Sequence, residues 1–275
     1  MNKITRLLAC AAAVFATTAS HAEDLDKIRS EGRIVVATEA AFAPFEFVQD
    51  GKIVGFGSEL LKQVAADLEV EVEQLDLPFQ GILAGLAAGQ YDLVATSVAI
   101  NPERAATYAF TRPFAAIENV IVTAADADDI TSVDDLAGKL VGTQLGSSTE
   151  AVARDIDKML ADKGEGFSDL RLYQTFPDTA FALRSGQVDA IIVANLTAGE
   201  FMASAPGEFR VAGSYGDPVM LSWVLRPGNP GLLGSINGTI GRLADSGALA
   251  EMQERWIGVA TPVPAENYLP DGAVQ

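Results

Sequence analysis

"FQGILAGLAAGQYDLVATS", Phe79–Ser97, returns at an offset of 97 residues as "FPDTAFALRSGQVDAIIVA", Phe176–Ala194. Without a gap, Phe79 meets Phe176, Leu86 meets Leu183, Gly89-Gln90 meets Gly186-Gln187, and Asp92 meets Asp189. Each copy reads as a helix stopping at a C-terminal glycine, a turn, and a short buried strand. Gly-Gln-x-Asp alone is a common kind of helix-to-strand turn. The shared register over the whole stretch argues for a repeat.

The flanks extend the parallel. Upstream of the first copy, "RIVVAT" (Arg33–Thr38) reads as a strand and "GSELLKQVAADL" (Gly57–Leu68) as an amphipathic helix. "VEVEQLD" (Val70–Asp76) alternates as a half-buried strand does. Upstream of the second copy, "KLVGT" (Lys139–Thr143), Thr149–Lys163 and "DLRLYQ" (Asp169–Gln174) repeat strand, helix, strand. Two β-α-β-α-β units predict two α/β lobes with mostly parallel sheets. Such sheets bind ligands at the carboxyl ends of their strands, so facing lobes would share a cleft. Beyond them come a strand, "VMLSWVL" (Val219–Leu225), and helices over Leu232–Leu243 and Ala248–Trp256. The Pro-rich end, "TPVPAENYLPDGAVQ", reads as an extended or loose tail.

The first residues set the compartment. Lys3 and Arg6 precede an apolar run, Leu7–Ala16, and Ser20-His21-Ala22 supplies small residues at the cleavage-defining positions. This pattern predicts a signal peptide cut after Ala22, too short in its apolar part for a membrane anchor. Leu7-Leu8-Ala9-Cys10 resembles a lipobox, but too few apolar residues precede Cys10, and lipid anchoring there is not expected. Cys10 and His21 are the only cysteine and histidine of the chain. With the leader removed, Ser-His-Asp and Cys-His catalysis and the usual zinc and haem sites are excluded. Nothing points to a metal, nucleotide or redox cofactor. Loss of Lys3 and Arg6 takes the formal charge from −18 to −20, which opposes binding to nucleic acid or anionic lipid.

Four segments together carry a resemblance: "ATEAAFAPFEFVQDGKIVGFGSELLKQVAADL", "LPFQGILAGLAAGQYDLVATSVAINPERAATYAFTRPF", "LAGKLVGTQLGSSTE" and "GALAEMQERWIG". They resemble the periplasmic solute-binding proteins of polar amino-acid ABC transporters over nearly all of residues 23–275. The resemblance implies an α/β, two-lobe periplasmic-binding-protein fold of type II, with two hinge strands near Glu118–Ala125 and Asp217–Leu225. Lobe 1 would comprise 23–116 and 218–260, lobe 2 would comprise 117–217, and 261–275 would be the tail.

"INPER" poses a local question that the resemblance answers. Asn101 is a good N-cap, and Pro102 and Glu103 suit a first helical turn, but Arg104 opposes the helix dipole there. On the residues alone, Arg104 is as well explained by an ion pair with Glu103 or another acid. The resemblance implies a clamp for a ligand carboxylate, in which helix amides at Asn101–Glu103 and the guanidinium would converge. It also implies ligand contacts from Phe42 and Phe79, which would sandwich the solute's body, and from Thr96, Ser97 and Ala99 at a strand end. From lobe 2 it implies Gln144, Gly146, Ser147 and Ser148, a polar loop in which Ser148 could instead simply cap a helix.

Two departures bear on the ligand. Ala99 stands where many relatives have Ser or Thr. Ala194, between Val193 and Asn195, stands where amino-acid binders usually carry the Asp that accepts the α-ammonium. A buried ammonium without a counter-charge is costly, so Glu39 would have to serve from lobe 1, or the solute lacks a primary ammonium. A quaternary ammonium would suit Phe79 through cation–π contact. The expectation is a periplasmic, monomeric binding component of an ABC importer, not an enzyme. Its partners would be a small carboxylate-bearing solute (amino acid, betaine or organic acid) and an inner-membrane permease. The rivals are a cyclohexadienyl dehydratase-like lyase with Glu39 or Glu200 as general acid, and a solute-binding module for a sensor.

Overall fold

Residues 24–275 are described by the computed structural model; the expected leader lies outside the described residues. Helix α1 (Asp24–Glu31) leads into β1 (Arg33–Thr38), and a small antiparallel sheet follows from β2 (Ala41–Phe42), β3 (Glu46–Gln49) and β4 (Lys52–Val54). Then come α2 (Phe56–Leu68), β5 (Glu71–Asp76), α3 (Ile82–Ala87), β6 (Leu93–Ala99), α4 (Pro102–Ala105), β7 (Ala109–Phe110) and β8 (Ala115–Ala124). The second unit is β9 (Leu140–Gln144), α5 (Ser148–Lys163), β10 (Asp169–Tyr173), α6 (Phe176–Arg184) and β11 (Ala190–Ala194). Helix α7 (Asn195–Ser204), strand β12 (Phe209–Leu225) and helices α8 (Pro230–Asp245) and α9 (Ala248–Ile257) complete the order.

The main sheet runs β10-β9-β11-β8-β12-β6-β1-β5. At one end β5, β1 and β6 are parallel, and at the other so are β10, β9 and β11. These are the two lobes. Strands β8 and β12 pair antiparallel with each other through both, with a register break between Tyr215 and Val219. Strand β12 begins ten residues before the "VMLSWVL" stretch because its first half belongs to the other lobe, where Phe209–Val211 faces Val122–Ala124.

The helix-to-strand turn of the repeat is reproduced in both copies. Gly89 and Gly186 sit just past α3 and α6 at φ of +71° and +70°, the left-handed conformation that ends a helix without a Cβ penalty. Gln90 N–H donates to Gly85 O and Gln187 N–H to Ala182 O, at 3.0 and 2.8 Å. Asp92 Oδ2 accepts from Val35 N at 2.9 Å, and Asp189 Oδ2 from Leu140 N at 2.8 Å. The aspartates therefore tie each returning strand to the strand beside it.

The tail is not loose. Tyr268, Leu269 and Ala273 pack on the apolar cluster that includes Ile100, Ala105 and Phe110, and Val274 N–H donates to Ala105 O at 2.8 Å. A proline-rich segment lacks helical or strand periodicity yet still docks its few apolar side chains.

Candidate functional site

The carboxyl ends of four parallel strands converge between the lobes. Glu39 follows β1, Ala99 closes β6, Gln144 closes β9 and Ala194 closes β11. With Phe42, Phe79, Ser97, Arg104, Ser147 and Ser148 they line one interlobe cavity. Four further lining residues, Ile117, Thr149, Phe176 and Leu221, were not anticipated. Phe176 had a signal in the sequence, since the repeat makes it the counterpart of Phe79.

Arg104 is half-buried. Its Nη1 donates to Ala99 O at 3.1 Å, its Nη2 crosses the cleft to Gly146 O at 3.0 Å, and its guanidinium lies 5.5 Å from the Phe79 ring centroid. Among the described residues no carboxylate forms an ion pair with it. Burial strips water from the guanidinium and brings its pKa down to about 10, with Glu103 partly opposing that. A charge so placed favours an incoming anion.

The helix that favours an anion is not the expected one. Helix α4 is a single turn of four residues, and Asn101 Oδ1 already takes the Arg104 amide at 2.8 Å. So short a helix sums few peptide dipoles. The sixteen-residue α5 instead begins at the cavity, where Ser148 and Thr149 form part of the lining. Its N-cap is Ser147, whose Oγ accepts from Glu150 N at 3.3 Å, rather than Ser148.

Other expected residues are placed differently. Thr96 is buried behind the wall, with its hydroxyl turned to Glu46. Val193 is core, and Asn195 Oδ1 accepts from Glu118 N at 3.1 Å. Gly146 is not in the cavity lining but in that of a neighbouring hollow on the other side of Arg104, to which it contributes its carbonyl. Phe79 receives a cation, but that cation is Arg104. The aromatic pair across the cleft is Phe42 with Phe176, centroids 5.3 Å apart.

Glu39 is almost fully buried and is bonded by Gln144 Nε2 from the other lobe. Burial pushes its carboxyl up to about 8, with the Gln144 hydrogen bond opposing and the nearby Asp76 adding to the rise. Glu200, the other acid considered as a proton donor, is exposed on α7 away from the cavity. Among the described residues lobe 2 brings no acid to the wall at Ala194, and Glu39 is the one carboxyl in the cavity lining.

The model of the bacterial extracellular solute-binding proteins, family 3, matches residues 34–259. The L-cystine-binding protein TcyJ of Escherichia coli (strain K12) is 32% identical over 237 residues, covering 85% of this chain and 86% of its own length. Among solved structures, the amino acid ABC transporter substrate-binding protein AbpA from Streptococcus pneumoniae, bound to L-arginine, superposes with a TM-score of 0.75. It is 30% identical and covers 86% of this chain and 99% of its own. The ancestral amino acid-binding protein AncCDT-1, a precursor of cyclohexadienyl dehydratase, gives a TM-score of 0.76 at 27% identity, covering 86% and 100%.

Proposed function

Since the chain belongs to the bacterial extracellular solute-binding proteins, family 3, we propose that it is the periplasmic binding component of an ABC importer, delivered there by cleavage after Ala22. It closes its lobes on an amino-acid-like solute and presents that solute to a permease. The solute's carboxylate meets Arg104 and the start of α5, its body lies by Phe42 and Phe176, and its cationic group turns to Glu39. The observation that carries this reading is Arg104, a half-buried cation in the interlobe cavity with no carboxylate partner among the described residues.

Thermal shift and calorimetry with L-cystine, L-arginine, glycine betaine and succinate test the ligand class. Arg104→Ala removes at least one charge-assisted hydrogen bond, about 1.5–3 kcal/mol, and is expected to weaken a carboxylate ligand roughly 10- to 150-fold without unfolding the protein. Unchanged affinity in this variant rejects the clamp. A second reading is supported by Glu39, whose buried carboxyl keeps its proton near neutrality as a general acid must. If the chain is a lyase, incubation with prephenate or arogenate gives an aromatic product that Glu39→Gln does not form.

A further inference from the structure

Behind Ser97 lies an acid that the binding scheme above does not use. Glu46, on β3, has no exposed surface (0%). Its Oε2 accepts from the Ser97 backbone N–H at 3.1 Å and from Thr96 Oγ1 at 3.3 Å. Its Oε1 lies 2.9 Å from Ser97 Oγ. On the other side, a Cβ at Gly57 would come within 1.9 Å of Oε1. Gly57 is needed for space, and the carboxyl group has nowhere else to go.

We propose that Glu46 is a positioning residue of the binding site: as the neutral acid it donates from Oε1 to Ser97 Oγ, so that the Ser97 hydroxyl turns its own proton into the cavity. This inference rests on the carboxylate-binding reading, since the Ser97 proton then points at the anion that Arg104 holds. The donor inventory fixes the alternative. If Glu46 is ionised, Oε1 takes the Ser97 proton, and Ser97 shows the cavity a lone pair that repels a carboxylate.

The surroundings favour the neutral acid. Strand β6 brings only Thr96 and Ser97 to the group. On α2, Glu59 is engaged by Arg255 and Trp256, Asp67 by Arg242 and Thr239, and Lys62 is exposed. The ionisable group acting on Glu46 is a second acid, Glu39, from the turn after β1. Burial above all, and then Glu39, push the Glu46 carboxyl up to about 8 against the three hydrogen bonds.

Glu46→Gln separates the two states. The amide nitrogen donates to Ser97 Oγ and its carbonyl accepts from Ser97 N and Thr96 Oγ1, which copies the neutral acid at every pH. Infrared spectra of the ligand-free protein at about pH 6 should show a protonated-carboxyl stretch that Glu46→Gln lacks. Calorimetry with L-arginine and L-cystine should show affinity falling about tenfold more in the wild type than in Glu46→Gln between about pH 6 and pH 9. Titration of the ligand is common to both proteins and cancels in that ratio, and repeating the pair in a Glu39→Gln background removes the coupling between the two acids. Identical infrared spectra overturn the proposal, and so does a parallel loss of affinity. If neither probe binds the wild type, glycine betaine and succinate take their place; if none of the four binds, the carboxylate-binding reading fails, while the infrared comparison still decides the state of Glu46.

Discussion

Gly57 and Glu46 form a steric pair that only the folded chain brings together. The carboxyl end of Glu46 is flexible in principle, but here it is committed to Ser97 and Thr96, so it cannot step aside without breaking buried hydrogen bonds. Gly57→Ala is therefore expected to destabilise by about 1–3 kcal/mol, the usual cost of overpacking a filled core. Urea unfolding measures it, and adding Glu46→Ala should recover part of the loss by removing the atom that the new Cβ meets. If the double variant is no better than the sum of the singles, the pair is not coupled. None of this was legible in "APFEFVQDGKIVGFG", where Glu46 alternates with phenylalanines and looks like the solvent-facing residue of a strand. The inward direction of Glu46 is set by the β2-β3-β4 sheet, whose strands of two to four residues are too short for a periodicity to show.

At the scale of elements the repeat was the readable part, because its signal lies in spacing rather than composition. It placed strands β1, β5, β6, β9, β10 and β11 within a residue or so of where they fold, and with them the four strand ends that make the cavity. It did not reveal α4 as a single turn. That turn is in contact with the C-terminal segment: Ala105 O receives Val274 N–H, and Tyr268 and Leu269 pack on the cluster that includes Ala105. Removing residues 265–275 should cost about 1–3 kcal/mol of stability, from half-buried apolar area and a lost hydrogen bond. It should also loosen the turn that aims Arg104. Hydrogen exchange is the direct check, at the amides of Ala105 and Tyr108, which bond to Asn101 O and Arg104 O. Unchanged exchange there would show that α4 stands without the tail.

For the whole molecule, the interlobe contacts make closure sensitive to protons. Glu39 belongs to one lobe and its cover, Gln144, to the other, so opening returns the carboxyl to water. Burial is the largest influence on Glu39 and raises it from 4.5 to about 8 in this closed arrangement. Rehydration on opening brings it back toward the ordinary glutamate value, even though the opposing Gln144 hydrogen bond is also lost. Between about pH 4.5 and 8 the closed form then binds a proton that the open form does not. The contribution to closure is fully present below that window and is lost as pH rises through it. Small-angle scattering of the ligand-free protein should show a larger radius of gyration at about pH 8.5 than at about pH 5. Glu39→Gln, which cannot ionise, should stay at the smaller value. A solute with a cationic group removes this uptake, because a cation beside Glu39 favours its ionised form, and a carboxyl already ionised in the open form at neutral pH then closes without taking a proton. Calorimetry of L-arginine at neutral pH in two buffers of different ionisation enthalpy reads that proton directly. No uptake in the wild type, as in Glu39→Gln, would place the cationic end of the solute at Glu39, whereas uptake in the wild type that Glu39→Gln lacks would exclude it from that end of the cavity.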